Sequence, residues 1–361
     1  MVGTAIAMAS TAYPLWAQAQ DATDQSSNSE VKGLQEVVVT AEKQATGRSV
    51  QKVPIAITAL DAETMAEQHI ESLSDVGHLA PGVTLDQMGT LPGSAGFEIR
   101  GISLRSSSSS IDLPNAVMQD GMPLTLQNGV TYLGTFDTQS VEVLRGPQGV
   151  LQGVNAAGGA VTFTTPLPSS TFHASGSFTF GNFDEVKASG VVEGPLDDII
   201  SAKIAVAETH IDGYYNNTTG QGTYKVAPGN PSGVAPQYPT GLIGGTQSVV
   251  VKPTFLIEPN EDMKIKIFAQ FEDDIMGGSS PIAINPNPAP GPASKFLTVF
   301  GYTPSVQPYQ IAIATPGFSH NSEEHVIGEF DWNVAGGSWT TIASFRNVNY
   351  NALYNAAGSP F

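Results

Sequence analysis

The sequence predicts a small α+β domain that is followed by antiparallel strands of a transmembrane β-barrel. Charged residues make up only 13% of the 361 residues, about half the share that is typical of soluble globular proteins. Residues 53–166 combine short strands with two short helices, and strands of about ten residues, long enough to cross a bilayer at a tilt, follow them. Short and long connections alternate between these later strands, as expected for the two rims of a membrane barrel.

Composition excludes several classes of function. The net charge of −18 argues against a nucleic-acid partner, which needs a basic surface. The absence of cysteine excludes disulfides, thiol catalysis and thiolate metal sites. The six histidines lack the paired spacing of metal ligands, and the serines at 106–110 lack a histidine–aspartate setting and a nucleophile elbow. We therefore expect no cofactor, no metal site and no enzymatic activity.

The N-terminus indicates export. Residues 1–19 are small and apolar and end in Ala17-Gln18-Ala19, a pattern typical of signal-peptide cleavage. A basic start is missing, so the segment is either a signal peptide truncated at its start or an ordinary apolar stretch. Residues 20–52 are largely polar and predict a flexible leader.

The α+β domain contains two helix signals. Asp61 is placed to cap a helix over residues 62–69. Ser74 or Asp75 is expected to cap a second short helix that ends at Pro81. The strands of this domain are expected at residues 53–60, 97–102, 116–119, 140–144 and 159–164.

About seven strands are predicted in residues 167–361, which we interpret as the first part of a barrel wall. They are expected near residues 171–180, 184–193, 200–210, 247–257, 262–273, 323–333 and 338–350. In the clearest strand, Ile265 and Ile267 alternate with Lys264 and Lys266, so that apolar side chains face lipid and polar ones face the lumen. A soluble β-sandwich has the same period, but it has no reason to sort its connections into short turns and long loops.

A block of motifs resembles a known family. Residues 99–102 read Ile-Arg-Gly-Ile, and residues 120–123 read Asp-Gly-Met-Pro. Residues 141–149 read Val-Glu-Val-Leu-Arg-Gly-Pro-Gln-Gly, and residues 151–161 continue as Leu-Gln-Gly-Val-Asn-Ala-Ala-Gly-Gly-Ala-Val. In order and length this block resembles the plug domain of TonB-dependent outer-membrane receptors.

The resemblance covers residues 36–166. Beyond them, only the pattern of strands and loop lengths resembles the family. Gln152 and Val154 depart from the family pattern, which usually has Phe and Arg there. The resemblance implies an α+β plug domain within a barrel of the ~22-strand class, in the outer membrane of a Gram-negative bacterium. It also implies energy-coupled import of a scarce solute, most often a ferric siderophore, with vitamin B12, haem, nickel complexes and oligosaccharides as alternatives.

The resemblance also implies sites for two partners besides lipid. The segment that matches the family's TonB box consists of Glu36, Val37, Val38, Val39, Thr40 and Ala41. An extended segment of this kind can add as a strand to a partner's sheet edge, here the C-terminal domain of TonB; the alternative is an ordinary plug strand. The small-molecule solute is expected at the plug apices, with Met88, Ser106, Gln127, Asn128 and Tyr132 as candidate contacts.

Arg100, Arg145 and Glu142 are expected to dock the plug in the barrel. The two arginines lie in strand-like segments inside a lumen, where buried charges need partners. We hypothesise that acidic residues of the wall hold them; the alternative is that both are solvated. If charge reversal of both arginines left docking and transport intact, the hypothesis would be lost.

Seven strands are too few for a plugged barrel, since an eight-stranded barrel has room only for its own side chains. We therefore expect the sequence to lack most of its wall and not to insert by itself as a functional transporter; heat-modifiable mobility in outer-membrane fractions would contradict this. The competing hypothesis is a secreted β-sandwich adhesin or carbohydrate-binding module. Such a protein would stay soluble without detergent.

Overall fold

The computed structural model describes residues 55–86, 96–103, 113–124, 134–215, 243–277, 317–334 and 336–353, with the backbone alone of residues 38–39, 48–49, 216–217 and 310–311. The expected signal peptide, residues 1–19, lies outside the described residues, as does most of the expected leader. The helices are α1 (Ala62–Glu67), α2 (Leu73–Leu79) and α3 (Gly149–Gln152). Among the described residues, no helix has the length and apolar character needed to cross a membrane.

The strands fall into two groups along the chain. The first group comprises β1 (Val38–Val39), β2 (Arg48–Ser49), β3 (Ala56–Asp61), β4 (Val83–Thr84), β5 (Glu98–Ile99), β6 (Ile102–Ser103), β7 (Asn115–Gln119), β8 (Met122–Pro123), β9 (Ser140–Arg145) and β10 (Gly159–Thr164). The second group comprises β11 (His173–Phe180), β12 (Val186–Pro195), β13 (Ile200–Ile211), β14 (Asn216–Asn217), β15 (Thr246–Asn260), β16 (Met263–Gly277), β17 (Gln310–Ile311), β18 (Phe318–Val334) and β19 (Gly337–Leu353).

The α+β domain is built on a five-stranded sheet in the order β3-β9-β10-β7-β8. Strand β10 runs parallel to β7, and the other neighbours are antiparallel. Leu73 and Val76 of α2 pack with Phe97 and with Val141 and Val143 of the sheet in one buried apolar cluster. The domain therefore has a dry core of its own, as an independently stable unit requires.

The caps of the first two helices follow from local chemistry. Asp61 caps α1 as expected, because its Oδ1 accepts from the Thr64 backbone N at 2.8 Å. The expected cap of α2 at Ser74 or Asp75 is wrong. Ser72 is the N-cap, and Asp75 completes a capping box by accepting from the Ser72 backbone N at 2.9 Å. Ser72 has this role because an N-cap side chain must reach the backbone of the third helical residue.

One tight hairpin replaces a longer expected strand, and a second hairpin has the same kind of turn. The strand expected over residues 97–102 is instead the β5–β6 hairpin, in which Arg100 (φ 54°) and Gly101 (φ 77°) form the turn. Asp120 (φ 47°) and Gly121 (φ 80°) form the same kind of turn between β7 and β8. Two consecutive residues with positive φ define a type I′ turn, whose twist matches that of the flanking strands.

Seven strands of the second group form one antiparallel sheet in the order β11-β12-β13-β15-β16-β18-β19, here called the wall sheet. Each strand of the wall sheet pairs with the wall strand that precedes or follows it along the chain, so the sheet is an antiparallel meander. The β-sandwich alternative is not supported, because the described strands of this group do not stack as two facing sheets. Strands β14 and β17 form a separate parallel pair of two residues each.

The two faces of the wall sheet have the polarity expected of a membrane barrel. One face leaves apolar side chains exposed, among them Val192, Ile204, Val206, Phe255, Phe271, Val326 and Phe345. The opposite face, here called the inward face, buries polar side chains, among them Lys203, Lys252, Gln270, Glu272, Asp274, Asn321, Glu323 and His325. This arrangement inverts that of a soluble protein, and it confirms the prediction of a lipid-facing surface and a polar lumen.

Candidate functional site

The α+β domain meets the inward face of the wall sheet through a few polar contacts, here called the docking contacts. The most deeply buried one joins Lys203 of β13 to Asp137, with Lys203 Nζ 2.8 Å from Asp137 Oδ1 and side chains 1% and 5% exposed. Lys203 Nζ also donates to the carbonyl oxygen of Pro166 at 2.7 Å. One wall lysine thus holds both the turn before β9 and the segment that leaves the domain.

A second wall lysine contacts the same turn. Lys252 of β15 donates from Nζ to the carbonyl oxygen of Phe136 at 2.7 Å, and the same ammonium lies 5.9 Å from the centre of the Phe136 ring. Lys203 and Lys252 lie on neighbouring strands of the wall sheet, since β13 pairs with β15. Consecutive residues 136 and 137 are therefore fixed by two adjacent cations.

A third lysine contact lies nearer to solvent. Lys187 of β12 places Nζ 2.6 Å from Glu71 Oε2, and its side chain is 30% exposed against 63% for Glu71. Glu185, a wall residue, shares this ammonium at 2.8 Å. Because both partners of the interdomain pair are partly hydrated, this contact contributes little stability.

The edge of the five-stranded sheet makes two further contacts. Gln119 of β7 donates from Nε2 to Gln270 Oε1 at 3.3 Å. Gln270 in turn donates to Glu272 Oε2 at 2.6 Å, which extends the chain of hydrogen bonds into the wall sheet. At the β7–β8 turn, a Cβ added to Gly121 would lie 2.9 Å from Ile342 Cδ1 of β19. A Cβ at this turn would therefore require the end of the Ile342 side chain to shift.

Asp120 occupies the same turn and is partly buried. Its carboxylate accepts from the backbone N and from Oγ1 of Thr165, both at 2.7 Å. Burial raises the pKa of Asp120 to about 6, against the opposing effects of the Thr165 hydrogen bonds and of Lys252, while Glu329 adds to the rise. The turn thus carries a carboxyl group with a raised pKa, and this group lies beside the docking contacts.

The inward face of the wall sheet holds its own charges in pairs. Arg346 of β19 makes a bidentate contact with Glu323 of β18, with both N···O distances at 2.7 Å. Ser248 Oγ donates to Asp274 at 2.5 Å. Within the described part of the chain, no group of three or more His, Asp or Glu side chains is arranged to hold a metal ion.

The predicted docking residues lie in three different settings. Arg100 is exposed, and its Nη1 would lie 3.0 Å from a Cβ added at Gly146. Arg145 donates from Nη1 to the carbonyl oxygen of Pro81 at 3.1 Å, a contact within its own domain. Glu142 is fully buried in the five-stranded sheet. Their pairing with the wall remains a prediction.

The other predicted site residues are only partly described. The backbone of Val38 and Val39 pairs antiparallel with Ser49 and Arg48, so this part of the predicted TonB box is extended. The remaining residues of the predicted box and all five candidate solute contacts lie outside the described residues: Glu36, Val37, Thr40, Ala41, Met88, Ser106, Gln127, Asn128 and Tyr132.

Sequence reasoning missed the lysines that make the docking contacts. It expected basic residues on the domain and acidic residues on the wall, whereas the described contacts run from wall lysines to carbonyl and carboxylate oxygens of the domain. A usable signal existed. Lys203 is the one lysine or arginine of β13, and Lys252 is the one of β15. The alternation of side chains along these strands places both on the polar, lumen-facing side.

Comparison with known proteins agrees with this architecture. Residues 49–160 match the family described as TonB-dependent Receptor Plug Domain. The chain is 31% identical over 165 residues to the pesticin receptor of Yersinia pestis, covering 45% of this chain and 23% of that protein. It is 29% identical over 243 residues to the ferric enterobactin receptor of Pseudomonas aeruginosa, covering 57% of this chain and 30% of the relative. The chain thus spans about a quarter of the length of the first of these relatives.

Solved structures show the same fold. The ferric yersiniabactin uptake receptor of Yersinia pestis superposes with a TM-score of 0.63 at 17% identity, covering 84% of this chain and 42% of that structure. The superposed part extends beyond the plug match and includes strands of the wall sheet, since residues 49–160 are less than a third of the chain. These comparisons identify residues 49–160 as a TonB-dependent receptor plug domain, and they show that the chain as a whole is similar to part of TonB-dependent outer-membrane receptors.

Proposed function

We propose that this protein belongs to an importer that takes up a ferric siderophore through TonB-driven rearrangement of its plug. The observation that carries the proposal is the contrast between a plug with its own apolar core and a plug–wall interface made of separate polar contacts. Such an interface can be broken without unfolding the plug. Two relatives, the ferric enterobactin receptor of Pseudomonas aeruginosa and the ferric yersiniabactin uptake receptor, support iron chelates as the solute class.

In this proposal, residues 36–41 form the TonB box and bind the C-terminal domain of TonB by strand addition. Backbone hydrogen bonds supply the affinity in this mode of recognition. The backbone of Val38 and Val39 is extended, which is the conformation that strand addition needs. The solute binds at the plug apices through Met88, Ser106, Gln127, Asn128 and Tyr132, and Arg100, Arg145 and Glu142 contribute to the docking of the plug. Residues 1–19, 20–52, 53–166 and 167–361 are the proposed signal peptide, leader, plug and first wall strands.

The first experiment tethers the plug to the wall. The chain has no native cysteine, so the double variant Glu71→Cys with Lys187→Cys can be joined by a short cleavable thiol crosslinker across the 2.6 Å contact. In cells that express the receptor with these substitutions from its own chromosomal reading frame, crosslinking should abolish uptake of radioactive iron chelate and leave chelate binding unchanged, and cleavage should restore uptake. The matched control is Glu258→Cys with Lys264→Cys, an exposed pair at 2.7 Å within the wall sheet. Uptake that continues through the tethered plug contradicts the proposal.

The second experiment addresses the TonB box. Val38→Pro removes a backbone N–H and therefore a hydrogen bond of strand addition. It should abolish uptake and leave chelate binding unchanged, while Gln44→Pro, outside the box, should leave both unchanged. Equal effects of the two prolines on uptake would argue against residues 36–41 as the TonB-binding segment.

A further inference from the structure

The wall strands are longer than a bilayer requires. Strands β18 and β19 have 17 residues each. At a rise of ~3.3 Å per residue and a tilt of ~45°, such strands span about 40 Å of height, whereas the apolar band of an outer-membrane barrel is only ~25 Å tall. The long connections, from β13 to β15 and from β16 to β18, lie at one rim, which is the extracellular rim in barrels of this kind. Part of the wall sheet therefore extends beyond the hydrocarbon.

The face of the wall sheet opposite to the inward face, here called the outward face, changes from apolar to polar toward the extracellular rim. Three rows of side chains across β13, β15 and β16 show the change, an apolar row followed by two mixed rows nearer to the rim. They consist of Val206, Val251 and Phe271, then Glu208, Val249 and Asp273, and then His210, Gln247 and Ile275. Charged side chains begin at the second row, so the outer boundary of the hydrocarbon on these strands lies between the first two rows.

The second and third rows line a shallow pocket of about 250 Å³ on the outward face, here called the collar pocket. Gln247 donates from its amide nitrogen to His210 Nδ1 at 3.1 Å, and His210 Nε2 donates in turn to Asp212 Oδ1 at 3.1 Å. Because an amide nitrogen can only donate, these two bonds assign the tautomer of the ring and orient the Gln247 side chain. Val249 and Ile275 add apolar surface to the lining. The collar pocket thus combines oriented polar groups with an apolar patch.

The charge of this surface is negative. In the described strands β13, β15, β16, β18 and β19, the outward face from the collar pocket to the rim has no lysine or arginine. Glu208 and Asp273 line the pocket, and the Asp273 side chain is 57% exposed, with Oδ2 3.0 Å from His320 Nε2. A phosphate group here would meet two carboxylates without a lysine or arginine to balance its charge. A sugar hydroxyl can instead donate to a carboxylate, and hydrogen bonds to charged acceptors are strong.

We propose that the collar pocket binds a sugar unit in the headgroup of a glycolipid of the outer leaflet, through hydroxyl groups and without a phosphate contact. The occupant follows from continuity with the lipid-facing surface, since a lipid whose chains lie against Val206 and Phe271 places its headgroup at the next two rows. Val249 and Ile275 offer apolar surface for the C–H groups of a sugar ring. An imported solute lies on the other side of the wall sheet, so this inference is independent of the proposed import function.

The test uses the receptor expressed from its own chromosomal reading frame, purified from outer membranes and placed in phosphatidylcholine bilayer discs that contain a minor probe lipid. The probes are an uncharged dihexosyl diacylglycerol and the anionic phosphatidylglycerol, and native mass spectrometry counts the probe lipids that remain bound. The native receptor should retain the glycolipid about tenfold more than phosphatidylglycerol, as expected for one or two hydrogen bonds to charged acceptors. Glu208→Lys should lower glycolipid retention by about tenfold and raise that of phosphatidylglycerol.

The matched control is Glu324→Lys, at an exposed acid that pairs in register with Phe271 and does not line the pocket; it should leave glycolipid retention unchanged. Val249→Trp fills the pocket without a change of charge, should also lower glycolipid retention, and replaces Glu208→Lys if that variant fails to fold. Equal retention of the two probes by the native receptor, retention of neither, or an equal loss in Glu208→Lys and Glu324→Lys overturns the proposal. Retention of phosphatidylglycerol by the native receptor only in the presence of Mg²⁺ would indicate a cation-bridged phosphate and overturn recognition through hydroxyl groups.

Discussion

The interior of the plug and its interface with the wall are held together by different forces. Inside the plug, Phe97, Leu73 and Val143 are at most 1% exposed and pack in one apolar cluster. At the wall, the docking contacts are made by lysines and amides, with Lys203 and Asp137 as the most buried pair. Apolar burial is non-directional and cumulative, whereas each polar contact depends on one geometry. The plug is therefore built to stay folded when its docking contacts are broken.

The largest effect is expected from the interior. Phe97→Ala removes a fully buried ring and should destabilise the plug by about 4 kcal/mol, as large-to-small core substitutions do. The measurement is the denaturant midpoint at which the plug becomes sensitive to protease in the detergent-solubilised protein. Leu79→Ala, at a side chain that is 41% exposed, is the control and should cost under ~1 kcal/mol. Equal losses would show that the interior cluster is not the source of plug stability.

A slightly smaller effect is expected from the buried docking pair. Lys203→Ala leaves the Asp137 carboxylate buried without its cation and should weaken docking by about 3 kcal/mol. Hydrogen exchange should accelerate at residues 134–138 and remain slow in β9 and β10. Adding Asp137→Asn should recover part of the loss, because the uncompensated charge is then removed. Faster exchange throughout the plug in Lys203→Ala would break the distinction between interior and interface.

The third prediction concerns pH. The pKa of Asp120 is raised by burial to about 6 from 3.8, so the folded plug binds this proton more tightly than the unfolded chain. The resulting stability is present below about pH 4 and is lost as pH rises through about 6, by roughly 2–3 kcal/mol. Asp120→Asn should flatten that part of the profile, because an amide can still accept from Thr165 N and donate to Thr165 Oγ1. An unchanged slope in this variant would assign the pH dependence to other groups.

The fourth prediction separates wall contact from backbone strain. Gly121→Ala meets both a positive φ and Ile342 Cδ1 at 2.9 Å, whereas Gly82→Ala meets a positive φ (71°) in open space. Strain should cost each variant about 1 kcal/mol, and the contact with Ile342, whose side-chain end can shift, should add less than ~1 kcal/mol for Gly121→Ala alone. Thermal unfolding of the two variants checks the difference. Identical losses would mean that the β7–β8 turn does not press on the wall.

The smallest effect is expected at the hydrated contact. Lys187→Ala removes the pair with Glu71, whose side chain is 63% exposed, and should change docking by less than ~1 kcal/mol. The loss should shrink further at high salt, because exposed charges are screened. A loss as large as that of Lys203→Ala would show that burial does not rank the docking contacts.

Much of the fold was predictable because its signals are local. The Asp61 cap, the strand at residues 159–164 and the seven wall strands follow from capping chemistry and from the alternation of side chains along a strand. The errors were also local in origin. The turn at Arg100 was taken as strand because an Arg-Gly pair is a weaker turn signal than Asp-Gly, and Ser72 was overlooked as the cap of α2.

The candidate site was less predictable, because it depends on which surfaces meet. The alternation of side chains along β13 and β15 places Lys203 and Lys252 on the inward face, yet nothing in it indicates that their partners are the carboxylate of Asp137 and the carbonyl of Phe136, respectively. These groups lie 66 and 116 residues away along the chain. It was chemically reasonable to expect that plug arginines pair with acidic wall residues. The sequence, however, does not show which plug residues face which wall residues.

By itself, the sequence determined the α+β plug, the polarity of the wall strands and the family motifs, since caps, turns and alternation act between residues close along the chain. The tertiary structure alone decided how plug and wall are joined and where the carboxyl of Asp120 is placed. These features arise from contacts between distant segments, and their energies depend on the desolvation that only the assembled interface produces.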